Sequence, residues 1–198
     1  MKNKLFGLVG ATPIVTAITL NLNPARKETA MHVSLMVAIT ADGKIARDAG
    51  HYPDWTGSAD KKLYVEITKK AGVMIMGSTT FDTIGRVLPG RKTVVMTRNL
   101  ERRSDRQELV FTQEPAEKIL ADLADQGFTE VIVVGGAKIN YLFAAEGLID
   151  ELILTISPYA FGSGLSIFSD SVDLKLTLKK FWQLDESTLC VRYGVLRD

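Results

Sequence analysis

Residues 73–91 read VMIMGSTTFDTIGRVLPGR, and this succession of residue types decides the fold class. The four apolar residues 73–76 predict a short buried strand, and the glycine after them leads through hydroxyl residues into a helix at 79–84. A Pro-Gly turn at 88–91 then leads to a second strand at 93–97. This order predicts a strand–helix turn at which an anion can approach the backbone near the positive end of the helix.

The alternation of strand-like and helix-like segments continues on both sides of this stretch. Further strands are predicted at 33–39, 109–111, 130–134 and 151–156, and further helices at 60–70, 115–126 and 138–146, the first of these capped by Ser58 or Thr56. Residues 41–57 are predicted to form a long loop without an element of its own, and the charged run 98–106 a solvated loop. The tail, 174–181 with 188–195, resembles an antiparallel pair. The pattern predicts an α/β fold with a mostly parallel central sheet, helices on both faces and an antiparallel C-terminal hairpin.

Length and composition limit the class of protein. The 198 residues predict one catalytic domain at 31–198, and 46% hydrophobic with 24% charged residues exclude a disordered or membrane protein. A net charge of +1 gives no global attraction for nucleic acid or an anionic membrane. The single cysteine, Cys190, is expected in the core, which fits a reducing, cytoplasmic location. His32 and His51 lie too far apart to suggest a metal site, so no metal is expected.

Residues 1–30 have a basic start and an apolar middle, which imitates a signal peptide weakly. Pro13 and several threonines interrupt the apolar run, so a transmembrane helix is not expected. We interpret this segment as an accessory extension. A weak targeting segment, or an upstream start codon with Met31 as the functional beginning, are the alternatives.

The stretch 73–91 closely resembles the signature of the dihydrofolate reductase family, in which Met-Gly leads through Thr to Ile-Gly-Arg and Leu-Pro-Gly-Arg. The resemblance covers residues 32–196 and includes Asp42-Gly43-Lys44-Ile45, the spacing from Trp55 to Asp60, and Gly135-Gly136. It implies the three-layer dihydrofolate-reductase-like fold and reduction of 7,8-dihydrofolate to tetrahydrofolate with NADPH. The second half, with Gly135-Gly136-Ala137 and Asn140, also resembles the reductase domain of riboflavin synthesis, which shares the fold and the cofactor.

The resemblance also implies the residues of a two-ligand site. Asp60 would be the acidic residue of the pterin pocket, supported by Thr155, because one carboxylate can accept both N–H donors of a 2-amino-4-oxo-pyrimidine edge. Arg91 would hold the α-carboxylate of the folate tail. The remaining substrate-binding positions are Ala38, Tyr64, Ile84 and Leu88, and the cofactor-binding positions are Ile45, Gly77, Ser78, Thr79, Thr80, Thr97, Arg98, Gly135, Gly136, Ala137, Lys138 and Ile139.

Two departures from the family pattern leave the preference for NADPH over NADH and the substrate open. Ser78 stands where the family usually has an arginine for the 2′-phosphate of NADPH, and Arg98 is the alternative source of that charge. Asn140 stands where an aromatic residue commonly faces the nicotinamide, which favours the riboflavin-type relative. The alternatives are therefore a reductase acting on 5-amino-6-(5-phosphoribosylamino)uracil or another pteridine or pyrimidine, and a non-catalytic nucleotide-binding module. Relatives with the Pro158-Tyr159 and Phe161-Gly162 style of loop suggest a homodimer.

Overall fold

An eight-stranded sheet forms the centre of residues 31–197, the part of the chain described by this computed structural model. The strands are β1 (His32–Thr40), β3 (Val73–Gly77), β4 (Lys92–Met96), β5 (Leu109–Thr112), β6 (Glu130–Val133), β7 (Glu151–Ser157), β9 (Lys175–Gln183) and β10 (Leu189–Leu196), with β2 (Lys44–Ala46) and β8 (Leu165–Ser166) outside this sheet. Their order is β5-β4-β3-β6-β1-β7-β10-β9. The pairs from β5 to β7 are parallel, whereas β10 runs antiparallel to both β7 and β9.

Four helices cover the sheet within the described residues: α1 (Gly57–Ala71), α2 (Ser78–Ile84), α3 (Ala116–Asp125) and α4 (Ala137–Ala145). One face packs against α1 and α2, where Met36 and Met74 are buried with Tyr64 beside them. The other face packs against α3 and α4, where Leu120 and Phe143 are almost inaccessible to solvent. The predicted fold class is therefore confirmed: a mostly parallel sheet with helices on both faces and an antiparallel C-terminal pair.

The stretch 41–57 is more structured than the sequence predicted. It contains β2, which pairs antiparallel with β8, and a single 3-10 turn at Asp54–Thr56. The prediction of a loop without elements was wrong because strands of two and three residues carry no recognisable alternation. Gly164 allows the two segments to meet, since a Cβ at its φ of +143° would overlap the carbonyl oxygen of Ala46.

The start of α1 also differs from the prediction. Ser58 lies inside the helix, and Thr56 occupies the N-cap position without a side-chain capping hydrogen bond. The Thr56 hydroxyl instead donates to the carbonyl of Pro53 at 3.4 Å. Thr56 is the last residue of the 3-10 turn and has a helical backbone (φ −79°, ψ −11°) instead of the extended conformation typical of a capping residue, which explains why no side-chain cap forms.

The charged run 98–106 is only partly a solvated loop, because Arg102 packs against α2 and β5. Cys190 is fully buried on β10, as predicted. No helix within residues 31–197 is long and apolar enough to cross a membrane. The expectations for residues 1–30 lie outside the described residues.

Candidate active site

A cleft of about 1310 Å³ opens at the carboxyl ends of the parallel strands β1, β3, β4 and β6. This edge is where ligands bind in open α/β sheets, near the point where the strand order reverses. Every site residue predicted from the sequence lines the cleft except Thr155. The predicted positions, which lie up to a hundred residues apart in the chain, are thus brought together by the sheet topology.

Asp60 lies in the first turn of α1 and is only 7% exposed. Burial raises its pKa, and the nearby hydroxyls of Thr56 and Thr155 oppose this rise. Thr155 lies behind the cleft on β7, beside Ala38 of β1. It is close enough to influence the pKa of Asp60, yet its hydroxyl oxygen is buried without a hydrogen bond of ordinary geometry to residues 31–197. A carboxyl group in this environment is suited to hold a proton or to pair with a cationic or N–H-rich ring edge.

Trp55 forms the wall next to Asp60. Its indole is 7% exposed, and its Nε1 has no hydrogen-bond partner within the described part of the chain. The ring packs edge-to-face on Phe161 and Tyr159, with centroids 5.2 and 6.4 Å away. The loop after β7 therefore supports the segment that carries Trp55.

Arg91 is the buried cation of the cleft. It is 6% exposed, and its Nε and Nη1 atoms make no hydrogen bond to any residue of 31–197. Its Cζ lies 5.9 Å from the ring centroid of Tyr64, which is one helical turn after Asp60. Burial lowers the pKa of Arg91 and raises the pKa of Tyr64 to about 12. A buried guanidinium without a protein carboxylate is suited to a ligand carboxylate or phosphate.

Two glycine turns meet at the other end of the cleft. The N–H of Gly77 donates to the carbonyl of Gly135 at 2.8 Å. Gly135 has a φ of +107°, which only glycine adopts readily, and the Gly135–Gly136 peptide bond is cis. Added Cβ atoms would lie 3.0 Å from Ile139 Cγ1 at Gly77 and 3.2 Å from Thr80 Oγ1 at Gly136. Glycine at these positions therefore lets the two turns pack closely against Ile139 and Thr80, and both turns line the cleft directly before α4.

The two departures from the family pattern occupy different surroundings. Ser78 and Arg98 both line the cleft, Ser78 at the start of α2 and Arg98 after β4. Asn140 is fully buried and does not line the cleft; its Nδ2 donates to the carbonyl of Ile167 at 2.8 Å. The neighbouring Tyr141 lines the cleft instead. Asn140 thus fastens α4 to the segment after β8.

Several residues that line the cleft were not predicted from the sequence. One group, Thr112 and Gln113, lies at the carboxyl end of the parallel strand β5. The rule that ligands bind at the carboxyl ends of parallel strands could have identified it. The other group lies after β7 and includes Gly164, Leu165, Ser166, Phe168 and Ser169. No motif or periodicity marks this second group. Among residues 31–197 no cluster of three or more His, Cys, Asp or Glu side chains is arranged to hold a metal ion.

In a comparison with known protein families, residues 31–190 match the RibD C-terminal domain family. The chain is 28% identical over 155 residues to YwjB of Bacillus subtilis, described as an uncharacterized protein, covering 73% of this chain and 87% of that one. It is 30% identical over 136 residues to a dihydrofolate reductase of Lactococcus lactis, covering 67% of this chain and 77% of the relative.

Solved structures share the fold. The RibD protein of Acinetobacter baumannii superposes with a TM-score of 0.73 at 22% identity, over 86% of this chain and 59% of that one. A dihydrofolate reductase of Enterococcus faecalis, complexed with NADP(H), superposes with a TM-score of 0.63 at 23% identity, over 83% and 96% of the two chains.

Proposed function

Because the chain belongs to the RibD C-terminal domain family, within the dihydrofolate-reductase-like superfamily, we propose that it is an NADPH-dependent reductase. Its substrate would present an aminopyrimidinone edge to Asp60. The observation that carries the proposal is that a buried acid, Asp60, lines the same cleft as the two glycine turns and a buried cation, Arg91, which forms no ion pair within residues 31–197.

The residues at the end of the cleft formed by the two glycine turns are suited to bind a dinucleotide. Gly77 and Gly136 line the cleft without side chains, and the cationic Lys138 and Arg98 line its rim. The backbone at Gly135 and Gly136 and the start of α4 would hold the pyrophosphate, and Arg98 the 2′-phosphate. NADPH supplies a hydride when bound. The residues of the chain orient the two ligands and exclude water from the space between them.

Asp60 is suited to the ring of the substrate. A 2-amino-4-oxo-pyrimidine presents two adjacent N–H donors, which one carboxylate can accept together. The raised pKa of Asp60 also allows its carboxyl group to retain a proton at a higher pH than an exposed aspartate, which favours protonation of the ring during reduction. Thr155 would orient the carboxyl group from behind.

Arg91 favours dihydrofolate among the possible substrates. Tyr64 separates it from Asp60 along the wall of the cleft, so a ligand held at its ring by Asp60 would extend past Tyr64 towards Arg91. A guanidinium at that end matches the carboxylate of the folate tail.

A riboflavin-pathway reductase is the second candidate, and the family match supports it at least as strongly. The substrate would be 5-amino-6-(5-phosphoribosylamino)uracil, whose phosphate is also an anion that Arg91 could hold. Its uracil edge, however, presents one N–H between two carbonyl oxygens and is a poorer partner for Asp60. The site and the family therefore favour different substrates.

NADPH oxidation should be measured with dihydrofolate and with the ribosylaminouracil, for the wild type and for Asp60→Asn. We expect turnover of dihydrofolate and a loss of at least about a hundredfold in kcat/KM for the variant, as is typical when a general acid is removed. Turnover of the pyrimidine alone would replace the first candidate by the second. If neither compound is reduced, the proposed activity on these substrates is wrong.

Arg91→Leu tests the tail of the substrate separately. We expect the KM for dihydrofolate to rise about ten- to a hundredfold, because a buried charged contact is lost, while the Kd of NADPH stays the same. A dihydropterin without the glutamate tail is the matched control and should show little change. An equal effect on both compounds would contradict the assigned role of Arg91.

A further inference from the structure

Arg102 lies in the charged loop that follows β4, and we propose that it is a positioning residue that fixes Arg98 at the cofactor end of the cleft. By doing so it sets the preference for NADPH over NADH. This inference rests on the proposed function, because it takes the 2′-phosphate of the cofactor as the group that Arg98 contacts.

Arg98 depends on its backbone for its position. It is exposed at the rim of the cleft, and its side chain has no hydrogen-bond or ion-pair partner among residues 31–197. Its main chain is held from one side: the Thr97 N–H donates to the carbonyl of Thr112 at 2.9 Å, and Gln113 Nε2 donates to the carbonyl of Arg98 at 3.1 Å. These bonds fix the end of β4 but not the loop beyond it.

The loop beyond Arg98 folds back in a tight turn. Asn99 accepts the N–H of Glu101 on its side-chain oxygen at 2.9 Å, and its own N–H donates to the Thr97 hydroxyl at 3.1 Å. The N–H of Arg102 reaches the Asn99 carbonyl at 3.4 Å. The turn therefore links the position of Arg102 to that of Arg98 through only three intervening residues.

Arg102 anchors this turn to two elements of the domain. Its guanidinium forms a two-bond fork with the carboxylate of Asp82 on α2, at 3.0 and 2.5 Å. Its Cζ also lies 4.8 Å from the ring centroid of Phe111 on β5 and 5.7 Å from that of Phe81 on α2. The two rings pack edge-to-face at 5.5 Å. The side chain of Arg102 thus bridges α2 and β5 and packs on the rings of Phe81 and Phe111.

The combination of contacts matters more than the ion pair. Asp82 is 56% exposed, and an isolated pair at that exposure contributes little to stability because solvent screens it. Arg102 is only 24% exposed, and the fork and the two rings together restrict its planar group to one orientation. The effect of these contacts is expected in the position of the loop rather than in overall stability.

Arg102→Leu separates positioning from folding. We expect the Kd of NADPH to rise about fivefold or more and the Kd of NADH to change less than about twofold, as in coupled networks. The two cofactors differ only in the 2′-phosphate, so a disturbance of the whole site would weaken both. Binding is measured by titration without substrate, which makes the result independent of the substrate assignment.

Arg103→Leu is the matched control, because within residues 31–197 the Arg103 guanidinium hydrogen-bonds only to the carbonyls of Leu100 and Arg102 in its own turn. It removes the same charge from the same loop and should leave the ratio of the two Kd values within about twofold. An equal loss in both variants would mean that net charge, rather than positioning, acts on the cofactor, and would overturn the inference.

The double variant Arg98→Ala with Arg102→Leu gives the decisive comparison. If Arg102 acts through Arg98, the second substitution adds nothing to the loss of NADPH preference caused by the first. Additive losses would overturn the inference. If Arg98→Ala alone leaves the preference unchanged, the inference also falls, while NADPH oxidation by the same samples shows whether the proposed reductase function stands.

Discussion

Asp60 is an acid that is 7% exposed and forms no ion pair within the described residues. Its pKa is raised by burial, so the folded protein holds the proton more tightly than the unfolded chain. Stability should therefore fall as the pH rises from the ordinary pKa of 3.8 through the raised pKa of the folded state. The position proposed here as catalytic therefore carries a stability cost at neutral pH, a trade-off that is common at active sites.

Asp60→Asn should remove this cost. We expect a higher Tm than the wild type at neutral pH, no such difference below the ordinary pKa of 3.8, and a large loss of reductase activity. Thermal unfolding across this pH range measures the effect. Asp54→Asn, an exposed residue in the preceding turn, is the control and should change neither quantity. A lower Tm for Asp60→Asn at neutral pH would contradict the explanation.

The sequence predicts which residues line the site, but it does not predict how deeply they are buried or which partners they have. The motifs place Asp60 and Arg91 at positions that do line one cleft. Arg91 is buried without a hydrogen-bond partner for Nε and Nη1 among residues 31–197, and this depends on side chains from distant segments, which no local pattern records. Asn140 shows the same limit, because its bond to Ile167 requires a segment that carries no motif.

At the scale of elements, the contact between β2 and β8 holds the loop 41–57 beside the cleft. Lys44 pairs with Ser166 and Ala46 with Leu165, and the register shifts between them. Asp42 adds to this contact by accepting the N–H groups of Phe161 and Gly162 at 3.1 and 2.7 Å. The cleft wall thus depends on two short segments that are about 120 residues apart.

Gly164→Ala should separate these segments. An added Cβ would overlap the carbonyl of Ala46, and a φ of +143° is unfavourable for alanine. We expect the KM for substrate to rise severalfold and the hydrogen exchange of residues 44–46 to increase. Gly162→Ala is the control: its φ of +73° is also positive but its Cβ would meet nothing within 4 Å. If both variants lose the same activity, backbone strain rather than the contact explains the result.

The sequence predicted long elements better than short ones for a physical reason. Strand β1 is buried over most of its length and appears as an almost continuous apolar run, and α3 buries apolar side chains at helical spacing, so both elements are recognisable in the sequence. The segments β2 and β8 bury little and are fixed by partners distant in the chain. The charged run 98–106 differs from its prediction for another reason, because arginine can pack on aromatic rings while retaining its charge.

At the scale of the whole molecule, the two ends of the sheet carry different charged groups. The cleft lies at the carboxyl ends of the parallel strands, and a cluster of His32, Asp150, Glu151 and Arg192 lies at the opposite end. Arg192 forms a two-bond fork with Glu151. Burial alone would raise the pKa of Glu151, but contacts with His32 and Arg192 lower it. The pKa of His32 is raised, chiefly by Glu151.

His32→Asn should change stability without changing catalysis. A raised histidine pKa stabilises the fold fully below the ordinary value of 6.5, and this stabilisation is lost as the pH rises through the pKa of the folded state. The wild type should therefore lose Tm in that window, and the variant should lose less. His51→Asn, near the cleft, is the control and should keep the wild-type decline. A variant with the same decline as the wild type would contradict the assignment.

Trp55 provides an intrinsic fluorescence signal at the cleft. The chain has two tryptophans; one is Trp55, in the cleft wall beside Asp60, and the other is Trp182, on β9 away from the cleft. Replacing Trp182 by Phe would leave one indole whose emission responds to whatever fills the cleft. Ligand binding could then be followed by fluorescence in solution for compounds that are never turned over, which makes a search for the natural substrate practicable.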